Sequence, residues 1–139
     1  MIKKILAPGN DSTFTSCALL ALRLWLGLTM LLNHGWGKLT GFGEMSQKFP
    51  DLLHIGGPAN LALVVFAEFF CSTLLVFGLL TRFAGLVLTI NMAVAFFIAH
   101  GGKLSGEGNG ELAFIYLAGY VTLLIAGSGK YSADKAVFK

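Results

Sequence analysis

Charge is what this sequence has least of. Ten Lys and Arg and seven Asp and Glu are all that 139 residues carry, 12% of the chain, where a soluble domain carries about 25%. Those few charges lie at intervals between apolar runs, and 55% of the residues are hydrophobic, so a single-domain polytopic membrane protein is indicated. Cysteine is almost as scarce. Cys17 and Cys71 fall in different apolar runs with no CxxC, which argues against a thioredoxin-like pair or a zinc site and leaves both expected as buried structural thiols. The net charge of +3 comes without any basic cluster, so no nucleic-acid footprint exists. The spacings HxxE, HxH and HxxxH are absent, and so no metal or haem set emerges from His34, His54 and His100. Gly106–Gly110 reads GEGNG without the GK[ST] of a phosphate loop.

What is present is a series of apolar runs. Lys3 and Lys4 are followed by no cleavage pattern, so the first run is expected to remain as an anchor. Pro8, Gly9, Asn10 and Asp11 break any helix, and Ser12 or Thr13 can cap the next one. Spans are expected at about 14–32, 61–80, 83–99 and 112–126, the last short of a full crossing. The fold expected is therefore all-α, a bundle of four transmembrane helices. His34 to Asn60 is a Gly-rich connection in which Phe42, Met45, Phe49, Leu52 and Leu53 suit a short interfacial helix. Small residues recur every four positions at Gly85, Thr89 and Ala93, and again at Ala118, Thr122 and Ala126, a spacing that permits close helix contact in lipid.

Lysine and arginine set the expected orientation. Lys3, Lys4, Arg82, Lys130, Lys135 and Lys139 flank one side. Lys38, Lys48 and Lys103 flank the other, offset by Glu44, Asp51, Glu107 and Glu111. Both termini are expected in the cytoplasm, with the two Gly-rich loops and the three histidines outside.

The second run, ALVVFAEFFCSTLLVFGLLTR from Ala62 to Arg82, carries Glu68 in its interior. A charge there costs at least about 2.5 kcal/mol and needs a partner or a task. By helical rise, Arg23 lies roughly 15 Å below the outer end of its span and Glu68 about 10 Å below the end of its own, with Asn91 at similar depth. A buried Arg23–Glu68 pair assisted by Asn91 is expected, although such a pair is not net stabilising by default. Arg23, Gly27, Met30 and His34 share one face with Lys38 near it. Glu68, Cys71 and Leu75 share another, and Glu111, Ile115, Ala118 and Thr122 a third. Arg23, Glu68, Asn91 and Glu111, with His34, Lys38 and His100 above them, are thus candidates to line one cavity. Against this stands a plainer reading, in which the Arg–Glu pair only holds the bundle together and the histidines sit among headgroups. Intramembrane ionisable residues as a rule mark functional sites.

RLWLGLTMLLNHGWGKL (Arg23–Leu39), GGP (Gly56–Pro58), AEFFCSTLLVFGLLTRFAGLVL (Ala67–Leu88), His100, GELAFIYL (Gly110–Leu117) and GSGKYSAD (Gly127–Asp134) resemble the DoxX family in order and over nearly the whole chain. The resemblance implies a four-helix protein of the bacterial cytoplasmic membrane, with relatives that include a subunit of a thiosulfate:quinone oxidoreductase and members associated with thiol redox. Family positions map onto Arg23, His34, Gly35, Lys38, Glu68, Gly78, Thr81, Arg82, His100 and Glu111. A quinone or a redox partner protein is the implied electron carrier, with catalytic roles for Glu68, Arg23 and His34 and ligand contacts from Lys38, Asn91, His100 and Glu111. The alternative is a non-enzymatic membrane partner or assembly factor in which Arg23–Glu68 is a structural clamp.

Overall fold

A computed structural model describes residues 12–138. The helix-breaking Pro8–Asp11 stretch, Lys3, Lys4 and Lys139 lie outside the described residues. Among the described residues four principal helices form the bundle: α1 (Thr13–Thr40), α3 (Gly57–Phe77), α4 (Thr81–Ala99) and α5 (Glu111–Ala126). Two short helices, α2 (Phe42–Ser46) and α6 (Ala133–Val137), lie in the connections. α1, α3 and α4 are long and apolar enough to cross a membrane, while α5 is shorter. No strand occurs among the described residues.

Local chemistry sets the ends. The Ser12 hydroxyl accepts from the Thr15 amide at 3.2 Å and caps α1. α1 then runs on to Thr40 rather than stopping near Leu32, so His34 and Lys38 stay on a helix. Pro58 stands in the first turn of α3, where its missing N–H costs nothing. α3 stops at Gly78 (φ 66°). There Gly78 N–H donates to Leu75 C=O and Leu79 N–H to Leu74 C=O, the paired bonds of a Schellman turn.

Gly127–Val137 folds back onto this end of the bundle. The Asp134 carboxylate accepts from the amides of Leu80 (2.6 Å) and Thr81 (3.0 Å), and Asp134 N–H donates to Gly78 C=O. A residue more than fifty positions downstream therefore supplies the N-terminal cap that α4 lacks locally. Lys130 N–H donates to the Ser16 hydroxyl and ties the same segment to α1.

The core is Leu19, Met30, Ala67, Cys71, Leu75, Ala84, Leu88, Met92, Tyr116, Tyr120 and Leu123. Trp25, Phe77 and Ile125 are largely exposed, as befits a surface solvated by lipid tails. α4 packs most extensively on α5. A Cβ on Gly85 would stand 3.3 Å from the Leu124 amide nitrogen, so the small-residue expectation holds at that contact. On α5 it holds only at Ala126, which packs against the core; Ala118 and Thr122 face outward and Tyr116, Tyr120 and Leu123 form the packed face. α5 is apolar all round, and periodicity alone could not choose its inner side. The cysteines also divide. Cys71 is buried as expected, whereas Cys17 is exposed, because the tail docks on Ser16 and Leu19 instead.

Candidate functional site

Glycines fix the register between α1 and α3. A Cβ on Gly27 would meet Val76 Cγ2 at 2.8 Å and Ser72 O at 3.3 Å, and one on Gly35 would collide with the backbone carbonyl of Glu68. The helices are antiparallel, so Glu68 lies level with Gly35 and Arg23 lies level with Gly78. Twelve residues at 1.5 Å each separate those two levels by about 18 Å.

The expected Arg23–Glu68 pair therefore does not form. Arg23 is fully buried at the end closed by the C-terminal segment. Its Nη2 donates to Tyr131 C=O at 2.5 Å, and among the described residues its Nε and Nη1 have no hydrogen-bond partner and Asp134 attracts it without an ion pair. Any side chain on Gly78 would occupy the space of the guanidinium. The sequence-based depths erred because they assumed that each span ended where its apolar run did. α1 extends two more turns, which moves Arg23 toward the other end.

Glu68 is paired instead with Lys38. The ammonium donates to Oε2 at 2.5 Å, the only ion pair among the described residues, and the Asn91 amide donates to Oε1 at 3.3 Å. Glu68 is 6% exposed, so these two donors supply what water would otherwise provide. The Lys38 stem spans a short distance from α1 while its side chain keeps about a fifth of its surface open.

Three wide π-helical turns frame this pair: Leu31–Gly35 in α1, Phe66–Cys71 in α3 and Val94–Ala99 in α4. Such turns rotate the side chains that follow and recur at functional sites. Each gives one residue to the wall of a single cavity of about 350 Å³, namely His34, Glu68 and Ala95, beside Lys38, His100 and Tyr116. Met30 and Met92 also line it. His34 stands edge-on to Tyr116 with ring centres 6.1 Å apart, and Tyr116 stacks on Tyr120 at 5.8 Å.

Loop 100–110 contributes His100, Asn109 and Gly110 to the same cavity. His100 Nδ1 lies 3.0 Å from Gly108 C=O. A carbonyl only accepts, so Nδ1 carries the hydrogen in this contact. Asn109 Oδ1 accepts from the Glu111 amide and holds the start of α5.

Of the expected residues, His34, Lys38, Glu68 and His100 line the cavity, and Asn91 reaches it through Glu68. Glu111 does not line it. It is exposed in the first turn of α5, on the same outward face as Ile115 and Ala118. The residues missed are Tyr116, Met92 and Asn109. Tyr116 and Tyr120 carried a usable signal, since two mid-span tyrosines four apart need a shared polar interior. Among the described residues no three His, Cys, Asp or Glu side chains converge as a metal site would require.

A second cavity, of about 280 Å³, lies between α3 and α4 under the loop that joins α2 to α3. Phe49, Leu52 and Leu53, expected in an interfacial helix, are its roof instead, since α2 ends at Ser46. Asn60 secures that loop. Its Oδ1 accepts from Leu53 N–H, and its Nδ2 donates to Asp51 and to Gly56 C=O.

Known proteins share this frame. The DoxX family model matches residues 18–101, a stretch that includes Arg23, His34, Lys38, Glu68, Asn91 and His100. An uncharacterised protein of Haemophilus influenzae is 32% identical over 107 residues, covering 75% of this chain and 71% of the relative. The inner membrane protein YqjF of Escherichia coli K12 is 30% identical over 114 residues, covering 79% of this chain and 85% of YqjF. No solved structure matches. With an all-helical bundle and apolar helices of membrane-spanning length, the chain is a multi-pass inner-membrane protein and belongs to the DoxX family.

Proposed function

We propose that this protein is a redox-associated membrane subunit that binds the head of a quinone-class lipid in the polar cavity. The observation that carries the reading is the partly buried Lys38–Glu68 pair in a cavity also walled by His34, His100 and Tyr116. A volume of about 350 Å³ falls within the range of small-molecule sites, about 300–1,000 Å³. Lys38 supplies a donor for a ring carbonyl. The methionine thioethers and Tyr116 supply a soft floor against which an aromatic ring packs.

Reduction of a quinone takes up two electrons and two protons. The electrons come from a partner redox protein, since this chain has neither a CxxC nor a nucleotide fold. Glu68 and His34 handle the protons, which is ordinary acid–base work for positioned carboxylate and imidazole groups. Arg23 has no part in that chemistry here. Its contacts with Tyr131 and the Gly78 turn suit a structural role at the opposite end. Lys130, Lys135 and Arg82 cluster at that end, which supports a cytoplasmic location for it, with the polar cavity toward the outer side.

Organic extraction of gently purified protein tests the reading. A quinone is expected in near-stoichiometric amount from the wild type and strongly reduced in Glu68→Gln. Absence of any quinone, with Glu68→Gln unimpaired in cells, overturns it and favours the non-enzymatic partner.

A further inference from the structure

The second cavity has chemistry of its own. Its walls are apolar side chains of α3 and α4, and Leu63, Phe66 and Ile90 at its rim are about half exposed, so it opens sideways between two helices into the hydrocarbon. Two polar residues line it, Asn60 and Asn91. The Asn60 amide is spent on the roof loop, with its oxygen and nitrogen both bonded.

Asn91 differs. Its Nδ2 donates to Glu68 Oε1 at 3.3 Å, the orientation that suits a carboxylate whose other oxygen is paired with the Lys38 ammonium. The Oδ1 of Asn91 is then turned from Glu68, and no protein donor reaches it among the described residues. Asn91 thus leaves one acceptor over in a cavity whose other polar side chain, Asn60, is already bonded and whose remaining walls are apolar. Lys38 occupies the other carboxylate oxygen of Glu68, Oε2, so Asn91 and Lys38 approach Glu68 as its two donors.

We infer that the apolar cleft between α3 and α4 is a second binding site, for a membrane amphiphile that carries a hydroxyl at the end of a hydrocarbon chain. The chain lies along Leu63, Ile90 and Val94, and the hydroxyl donates to Asn91 Oδ1. A carbonyl or ether head offers no hydrogen and gains nothing there, so the site selects donors. An acceptor-bearing head belongs to the other cavity, where Lys38 donates. The two cavities meet at the Glu68–Asn91 bond and select heads of opposite hydrogen-bonding sense. The inference does not depend on a quinone occupying the polar cavity.

Photolabelling in lipid nanodiscs tests it, with hexadecanol bearing a diazirine on its chain and the methyl ether of the same alcohol as paired probes. The alcohol is expected to label the segments around Leu63, Ile90 and Val94 about three- to tenfold more than the ether, the ratio one neutral hydrogen bond supports. Asn91→Leu should bring the alcohol down to the ether's level, and Val87→Trp, which fills the cleft, should suppress both. Equal labelling by alcohol and ether in the wild type overturns the inference. So does cleft labelling no stronger than that of the outward face around Ile125. The wild-type ratio decides even if Asn91→Leu does not fold. Neither probe has a quinone ring, so failure of quinone binding in the polar cavity leaves this result untouched.

Discussion

Lys38 and Glu68 meet across the α1–α3 interface at 2.5 Å, one helical turn beyond the point where Gly35 rests against the Glu68 backbone. The pair thus closes over a contact that only glycine permits. The ion pair and the glycine contact form one unit, because the backbone approach brings the lysine stem within reach of the carboxylate.

That unit predicts an asymmetry. Lys38→Met leaves a buried carboxylate with Asn91 as its remaining donor, and is expected to cost about 3 kcal/mol, the lower end for a broken buried pair given the partial exposure of Lys38. The double variant Lys38→Met/Glu68→Gln should recover much of that loss. Thermal unfolding in mild detergent checks it, and equal stability of single and double variants contradicts it.

Gly35→Ala should separate α1 from α3 locally. The added methyl has no free volume at the Glu68 carbonyl, and overpacking of this kind costs about 1–3 kcal/mol. Gly37→Ala, where a Cβ meets nothing within 4 Å, is the matched control and should fold as well as the wild type.

Arg23 and Glu68 should behave independently. They stand about 18 Å apart by helical rise and share no hydrogen-bond partner, so the losses from Arg23→Met and Glu68→Gln are expected to add within about 0.5 kcal/mol. A double variant more stable than the sum would restore the direct pairing that the helix register rules out.

Asp134→Ala removes the cap from α4. Loss of the two carboxylate bonds to Leu80 and Thr81 should cost about 1–2 kcal/mol and loosen the Gly78 turn. Faster backbone exchange over residues 78–82 is the expected readout, and unchanged exchange counts against the cap.

Asp51 gives the roof loop a pH dependence. Desolvation alone would raise its pKa, but the backbone amides of Gly56 and Ile55, the Asn60 side chain and the nearby His54 outweigh it and hold the carboxyl below its ordinary range. A lowered folded-state value means that the ionised form stabilises the loop above the ordinary carboxylate pKa. That contribution falls away as pH drops through the lowered value. Protection of the amides of residues 52–56, taken relative to their intrinsic exchange rate at each pH, should therefore fall in acid, and Asp51→Asn should show the low protection at neutral pH as well.

The sequence by itself determined the class of this protein and half of its site. Scarce charge, apolar runs of bilayer length and the cost of an acid inside one of them identified a helical membrane bundle and singled out Glu68. Periodicity placed Arg23, Gly27, Met30 and His34 on one inner face and Glu68, Cys71 and Leu75 on another, and those faces are inward. Pairing was decided only by tertiary structure. Hydropathy sees where lipid contact ends but not where a helix ends, so the extension of α1 to Thr40 moved Lys38 opposite Glu68 and Arg23 to the far end. The three π-turns leave no periodic trace, yet each contributes one residue, His34, Glu68 or Ala95, to the same cavity. Hydrophobic periodicity does not distinguish the sides of α5, and its packing in the bundle turned Tyr116 inward and Glu111 outward. The reason is common to all three: a local pattern records which face prefers lipid, whereas a site depends on which residues of different helices share a level. Close backbone contacts at Gly27, Gly35 and Gly85 set that level.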